Sequence, residues 1–453
     1  MFSVGEIVKA TGGILVQGDF KGKICGISTD SRKSKPQEAF LALKGNNFNG
    51  HDFIEESLKS GISTLVLERL TGRLIPTDVA VIKVKDTTEA LGDIARFQRQ
   101  KFNLPVIAVT GSNGKTTTKD MTAWVLSSGA QVLKNEGTQN NQIGLPQTLI
   151  QLTEKDNFAV VEIGTNHFGE VDYLAKIAKP NIGLITNIGL SHLEFLYNLR
   201  GVLKEKLSLL DNLAKPAFAI LNADDKLLKG IITQSNNRKH VFSYGIDEKS
   251  DFCASGIKLK NGKLEFKVGS KFNFALSTLG YYNAYNALGA ISVGRIFGLS
   301  YPEISSRLAT FKFPKGRLNL IEFKGLKFID DTYNSNPFSL KAALSALNAV
   351  KCKGKKILVM GDMLELGKQK ELLHRQIARS ITNTCDFLLA VGGLTRLTAQ
   401  AAEKIGFKSK NIFCCDNALQ AKDFLFNKMS PKACDLILVK GSRSMKMEEI
   451  FSA

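Results

Sequence analysis

The sharpest chemistry in this sequence sits at Val109-Thr110-Gly111-Ser112-Asn113-Gly114-Lys115-Thr116-Thr117. It follows the apolar run Val106 to Val109 and opens a helical pattern carrying Met121, Val125 and Leu126. A strand, a glycine turn and a helix start, in that order, make a phosphate cradle. Gly111 and Gly114, on either side of Ser112 and Asn113, let the backbone turn closely enough for its N–H groups to face phosphate oxygens. The helix N-terminus adds favourable potential. Lys115 supplies charge to the terminal phosphates, and Thr116, with Thr117 beside it, offers a hydroxyl to Mg2+. Val109 stands where the first glycine of the full GxxxxGK[ST] pattern would be, so the strand-turn-helix context carries the reading.

Further strand ends bear polar residues. Glu162 ends the buried run that starts at Phe158, just before a loop. In an open α/β sheet that place faces the ligand crevice, where a carboxylate can hold Mg2+; capping a helix is its plainer use. His192 follows a third strand, Ile182 to Ile185, and position alone promotes it over a structural histidine. Lys204 and Lys206 flank Glu205 on a helical stretch whose letters read as a solvated charged face. Farther on, Asp330-Asp331-Thr332-Tyr333-Asn334-Ser335-Asn336-Pro337 follows the strand Lys327 to Ile329, and Gly361-Asp362-Met363-Leu364-Glu365-Leu366-Gly367 follows a strand ending at Met360. Two acids, a tyrosine and two asparagines at one strand end predict a binding edge, with a capped turn as the alternative.

The elements that must position these residues divide by punctuation into three α/β units. At 453 residues the chain is about three times the ~150-residue prior for one domain. The first unit, 1–86, has a short strand at Ala39 to Leu43, a helical pattern ended by Gly61, and a strand at Ser63 to Leu67. The second, 87–313, alternates buried strands with helix-length segments, predicting a parallel sheet with helices on both faces, closed by a helix over Asn283 to Phe297. Breakers at Phe313, Pro314 and Gly316 begin the third, 314–453, a new βα series. No apolar run approaches the roughly 18 residues of a membrane span. The opening MFSVGEIVKATGG lacks a secretory apolar region, so a cytoplasmic protein is expected. Seven cysteines without a CxxC pair predict reduced thiols rather than a disulfide framework or zinc site. The formal charge of +19 invites a nucleic-acid reading. The scattered lysines and single Trp form no aromatic-interleaved stripe, so polyanionic small substrates fit as well and no nucleic acid is expected.

Together these segments resemble the Mur ligase family, ATP-dependent amide-forming enzymes of peptidoglycan synthesis with three domains. DDTYNSNP running into Phe338-Ser339-Leu340-Lys341, GDMLELG with His374, and Val439-Lys440-Gly441-Ser442-Arg443 place the resemblance in the D-alanyl-D-alanine-adding branch. The family fold implies an N-terminal domain for the UDP-sugar, a central P-loop ATPase-like sheet and a Rossmann-like C-terminal domain. By that resemblance Ser28, Thr29, Asp30, Ser31 and Arg32, with Gly45 through Asp52, match the uridine-sugar region. Gln139, Asn140 and Asn141 match the loop that meets the muramoyl peptide. Lys115, Thr116, Glu162 and His192 map onto the ATP and Mg2+ positions. Lys206 falls where the family carries a carbamylated lysine; Ser208 stands where an acid is usual, leaving Lys204 as the alternative. Asn283 and Asn286 match purine contacts, although Tyr282 replaces a histidine. Arg317 and Asp331 match positions near the nucleotide, and Asn334 and Asn336 face the incoming dipeptide. The implied reaction joins D-Ala-D-Ala to a UDP-N-acetylmuramoyl-tripeptide, in a monomer using ATP and Mg2+. The alternatives are a tripeptide-forming or folate-glutamylating ligase of the same fold, or a nucleotide switch that does not ligate.

Overall fold

In the computed structural model, which describes all residues except 46, 47, 71, 73, 235–239, 261 and 453, the run Val106–Thr110 is a strand with every residue buried. It lies in a nine-stranded sheet, parallel to Phe158–Glu162 on one side and Ile182–Ile185 on the other. The register sets Glu162 against Val109 and Ile185 against Thr110. The three strands therefore end at one level, and the loops after them leave from the same edge. Helices Lys115–Leu126 and Asn283–Ile296 bury Met121, Val125, Leu288 and Ile291 on one face, while Leu145, Leu149 and Leu174 cover the other. That is the two-sided cover a parallel sheet needs.

One edge departs from the sequence expectation. Phe252–Lys260, Lys263–Val268 and Phe272–Leu276 extend the sheet, the last two joined antiparallel. Lys263-Leu264-Glu265-Phe266-Lys267-Val268 alternates polar and apolar residues, and Leu264, Phe266 and Val268 are the buried ones. Alternation of that kind suits a sheet edge with one face in water.

The N-terminal unit is a five-stranded sheet joined to the central unit by helix Thr87–Gln100. Asp86 caps this helix through the N–H groups of Thr88 and Glu89. Ala90, Leu91 and Ile94 lie in the N-terminal core and Ala95 in the next. Gln98 and Arg99 donate to the carbonyls of Leu152 and Ala178, so the joint is a shared, buried helix. The C-terminal unit is a six-stranded sheet, parallel except for the edge strand Asn319–Phe323. Its register sets Asp331 opposite Lys440. The seven cysteines are free thiols. No helix among the described residues is long and apolar enough to cross a membrane.

Candidate active site

The ends of these strands open into a cleft of about 990 Å3 whose wall includes Lys115, Glu162, His192, Asn283, Arg317 and Asp331. Its floor is the glycine turn. Gly111 has φ +146° and Gly114 φ +82°, and a Cβ would run into Thr186 Oγ1 at the first and Asn286 Oδ1 at the second. Glycine is required at both by conformation and by space. The turn is tied to the third strand: Thr186 Oγ1 donates to Asn113 O at 2.6 Å, while the Ser112 and Asn113 N–H groups donate to Asn187 O and Oδ1 at 2.9 and 3.0 Å. Those two N–H groups are thus engaged within the protein. The donors left for phosphate are those of the first helical turn, at a helix whose N-cap, Gly114, supplies no side-chain cap. Lys115 folds back over the turn, its Nζ donating to Gly111 O at 2.9 Å. Burial, and secondarily the charge of Arg317, pulls the Lys115 ammonium below the usual lysine range, against the opposing pull of Glu162.

Beside it Glu162 is 1% exposed. Asn140 Nδ2 donates to its Oε1 at 2.6 Å, whereas Oε2 is buried and accepts no hydrogen bond. An orphaned carboxylate oxygen in a polar cleft demands a cation or a donor. Among the described residues there is no cluster of three His, Cys, Asp or Glu side chains. A single orphaned carboxylate oxygen suits Mg2+, which takes one or two protein ligands and fills its shell with phosphate and water. Thr116 and His192 line the same cleft.

Lys206 lies on helix Leu199–Asp211, and the expected solvated face is not what forms. Lys206 and Glu205 are both buried, while Lys204 is exposed. Glu205 is held inside because it accepts from Gly169 and Val171 N–H, each at 2.8 Å. It thereby satisfies free N–H groups where helix Glu170–Ala178 begins. Burial, and then the charge of Lys115, pushes the Lys206 ammonium well below the lysine range, against the pull of Glu205 and Glu162. The structure thus separates Lys206 from Lys204 as the buried one. His192 is neutral-leaning for the same first reason, burial, although its hydrogen bond to Glu365 opposes the shift.

On the C-terminal side Asp331 accepts from Lys440 Nζ at 2.5 Å and from Leu318 N–H at 3.2 Å. Arg317 stacks 3.9 Å over the Tyr333 ring and reaches Thr116 Oγ1 at 3.5 Å. Asn286 Nδ2 donates to Asn283 Oδ1 at 2.8 Å, while Thr118 Oγ1 donates to Asn286 Oδ1 at 3.2 Å. This pair braces the phosphate-loop helix. Asn336 fulfils the capped-turn alternative, heading helix Pro337–Ala349 with a capping box, and also reaches Asn113 across the cleft.

Ser28, Thr29, Asp30, Ser31 and Arg32 are not brought to the cleft. Asp30 caps the turn Ser31–Lys33 and forms a two-point ion pair with Arg32, at 2.9 Å for each bond. The link to the site is Thr29, whose hydroxyl accepts from Gln147 Nε2 on the helix that follows the Gln139 to Asn141 loop. Of the stretch Gly45 to Asp52, residues 46 and 47 lie outside the described residues. Sequence reasoning missed two residues that support this loop. Lys119 is fully buried and donates to Asn135 O and Gly137 O. Asn135 in turn bonds Gln139 O and both backbone groups of Glu162. The only signal for Lys119 is its place four residues beyond Lys115, one turn along the same helix.

Three family models match the chain in this order: "Mur ligase family, catalytic domain" over residues 23–99, "Mur ligase middle domain" over 109–294, and "Mur ligase, glutamate ligase domain" over 316–443. The UDP-N-acetylmuramoyl-tripeptide--D-alanyl-D-alanine ligase of Bacillus subtilis (strain 168) is 35% identical over 453 residues, 99% of this chain and 96% of its own. The chain belongs to the Mur ligase family. This Mur ligase is also similar to the crystal structure of MurF from Acinetobacter baumannii, with a TM-score of 0.90 at 31% identity over 99% of this chain and 97% of that one. MurF ligase from Thermotoga maritima, solved in complex with ADP, gives 0.81 at 27% identity over 94% and 96%. The three-unit α/β architecture expected from the sequence is that of these Mur ligases.

Proposed function

We propose that this Mur ligase joins D-alanyl-D-alanine to the tripeptide carboxylate of a UDP-N-acetylmuramoyl-tripeptide, converting ATP to ADP and phosphate. The observation that carries the reading is convergence: the phosphate turn and the orphaned Glu162 oxygen line one cleft beneath the C-terminal unit, and the buried Lys206 lies close enough to feel the charges of Lys115 and Glu162. Relatives matched over nearly their full length bear the name of that ligase, and one was solved with ADP. This favours dipeptide addition over the tripeptide-forming and folate-glutamylating alternatives. The units 1–86, 87–313 and 314–453 would hold the UDP-sugar, the ATP and the incoming dipeptide in turn, in a monomer working in the cytoplasm.

A carboxylate is a poor acyl donor until one oxygen becomes a leaving group. Attack of the tripeptide carboxylate on the γ-phosphorus forms an acyl phosphate and releases ADP. The dipeptide amine then attacks the acyl carbon, and the tetrahedral intermediate expels phosphate as the amine gives up its proton. The protein's work is positioning and charge stabilisation. Lys115 and the first-turn N–H groups take the phosphoryl charge. Thr116, Glu162, His192 and a carbamylated Lys206 would hold the magnesium ions between them, with Asn140 fixing the Glu162 carboxylate. Mg2+, when bound, offsets charge building on the transferred phosphoryl group. Burial and the charge of Lys115 push the Lys206 ammonium well below the lysine range, which favours the neutral amine. A neutral amine can attack CO2, forming an N–C bond and releasing a proton, and the resulting carbamate places negative charge opposite Lys115. Asn283 and Asn286 serve the purine, and Arg317 and Asp331 the rest of the nucleotide. Ser28 to Arg32 serve the UDP-sugar, Gln139 to Asn141 the muramoyl peptide, and Asn334 and Asn336 the dipeptide. Closure excludes water, which would hydrolyse the acyl phosphate.

The test is phosphate release from ATP and Mg2+ with D-Ala-D-Ala and UDP-muramoyl-tripeptides ending in diaminopimelate or lysine. Release that needs both substrates, with a pentapeptide product by mass, is expected. Lys115→Ala and Lys206→Ala should each abolish it. No release with either acceptor, while ATP still binds, would reject the substrate assignment.

A further inference from the structure

Among the described residues, the C-terminal unit makes polar contact with the phosphate edge at three places. Two are Asn336 to Asn113 at 2.8 Å and Arg317 to Thr116 at 3.5 Å. The third is at His192, and it is double. Leu193 N–H donates to Glu365 O at 3.1 Å, and His192 Nδ1 lies 2.9 Å from Glu365 Oε2. The two turns approach closely, since a Cβ on Gly367 would lie 3.1 Å from the backbone N and Cα of Glu194. His192 and Glu365 both hold left-handed backbones, at φ +53° and +63°. Left-handed backbone is strained for both residue types, so the surrounding contacts must hold the turns in place.

The Glu365 side chain is half-exposed, and as a surface ion pair it would contribute little stability. Its consequence is directional. A carboxylate accepting at Nδ1 keeps the imidazole proton there and leaves Nε2 as the nitrogen with a free lone pair. Histidine ligands are oriented by a carboxylate in this manner. Here the carboxylate comes from a different structural unit than the histidine.

We infer that Glu365 is a positioning residue that sets the tautomer and ring orientation of His192 from across the cleft, completing the Mg2+ site only when the C-terminal unit is docked. The inference rests on the reading of His192 as a Mg2+ ligand. It gives the GDMLELG loop a role in coupling closure to metal binding.

Glu365→Ala and Glu365→Gln test it, because both keep the backbone carbonyl that receives Leu193 N–H. The first readout is the His192 ring nitrogen shifts in metal-free protein. Wild type should carry its proton on Nδ1, and Glu365→Ala should shift it towards Nε2. The second is Mn2+ titration of the ADP-loaded enzyme by electron paramagnetic resonance. Glu365→Ala should weaken binding by about 10- to 100-fold, the range for loss of a ligand-orienting partner, and Glu365→Gln should recover most of it through its amide oxygen. Wild-type nitrogen shifts in Glu365→Ala, or wild-type Mn2+ affinity with only a lower unfolding midpoint, would overturn the inference. A wild-type enzyme that binds neither ADP nor Mn2+ would instead sink the proposed function, while the nitrogen shifts would still decide the His192 contact.

Discussion

Asn336 performs two tasks that a single substitution can separate. Its Oδ1 accepts from Ser339 N–H at 2.9 Å, and its own N–H donates to Ser339 Oγ at 3.0 Å, which caps helix Pro337–Ala349. Its Nδ2 donates across the cleft to Asn113 Oδ1 at 2.8 Å. Serine caps a helix about as well as asparagine, and loss of a cap to alanine costs about 1 kcal/mol. The shorter serine hydroxyl cannot both cap and reach Asn113. Losing one cross-cleft hydrogen bond removes about 1 kcal/mol net from the docked state, or roughly fivefold in the ratio of docked to undocked forms. Asn336→Ser should therefore keep wild-type stability in urea, as read from the helical signal of the C-terminal unit. Its kcat/KM for D-Ala-D-Ala should fall at least about fivefold, the share of the Asn113 bond alone, with any direct contact to the dipeptide adding to it. Asn336→Ala should lose that fivefold and also about 1 kcal/mol of stability. Equal destabilisation by both variants, or full kcat/KM in Asn336→Ser, would refute the division of labour.

Other outcomes rest on the same kind of contact. Lys119→Met strips the ammonium from the buried Asn135 carbonyl, from the partly buried Gly137 carbonyl and from Asp120, which keeps Lys134. It should cost about 2–3 kcal/mol in urea unfolding, and an unchanged midpoint would remove the network. His374 Nε2 accepts from Met363 N–H at 3.0 Å, and burial lowers the folded pKa below the ordinary 6.5. The unfolded chain therefore takes up the proton first. Stability should be full above pH 6.5 and fall below it until the folded value is passed. His51, whose Nε2 accepts from Glu68 N–H, adds the same sign; a flat stability profile on acidification would contradict both. Tyr282 meets Phe338 edge-on at 5.0 Å. Tyr282→His should lower turnover by no more than the roughly fivefold that one aromatic contact of ~1 kcal/mol allows. A hundredfold loss would make Tyr282 part of the machinery.

What the sequence made legible is what local backbone chemistry decides. The glycine turn and the strand end at Glu162 could be read because turn residues and buried strands announce themselves within a few positions, whereas His192 lies seven residues beyond its strand, at the head of the short helix Leu193–Leu196. The antiparallel extension after Phe252 went unread although Lys263 to Val268 alternates plainly. The alternation competed with an expectation of continued βα units. The support of the site was hidden for a different reason. Lys119 with Asn135, Lys440 with Asp331, and Glu365 with His192 are pairs separated by 16, 109 and 173 positions, and only tertiary packing brings them together. Lys206 shows the limit most clearly. Its neighbours Lys204 and Glu205 make it look solvated, and only Glu205's contacts with Gly169 and Val171 explain why the helix turns Lys206 inward.

Ligation through an acyl phosphate is tested most directly by labelling both oxygens of the tripeptide's terminal carboxylate with 18O and running one turnover with ATP, Mg2+ and D-Ala-D-Ala. One labelled oxygen should appear in the released phosphate and one in the new amide carbonyl. Phosphate without label, alongside pentapeptide product, would show that the carboxylate never attacks the γ-phosphorus and would contradict the roles given to Lys115, Glu162 and Lys206.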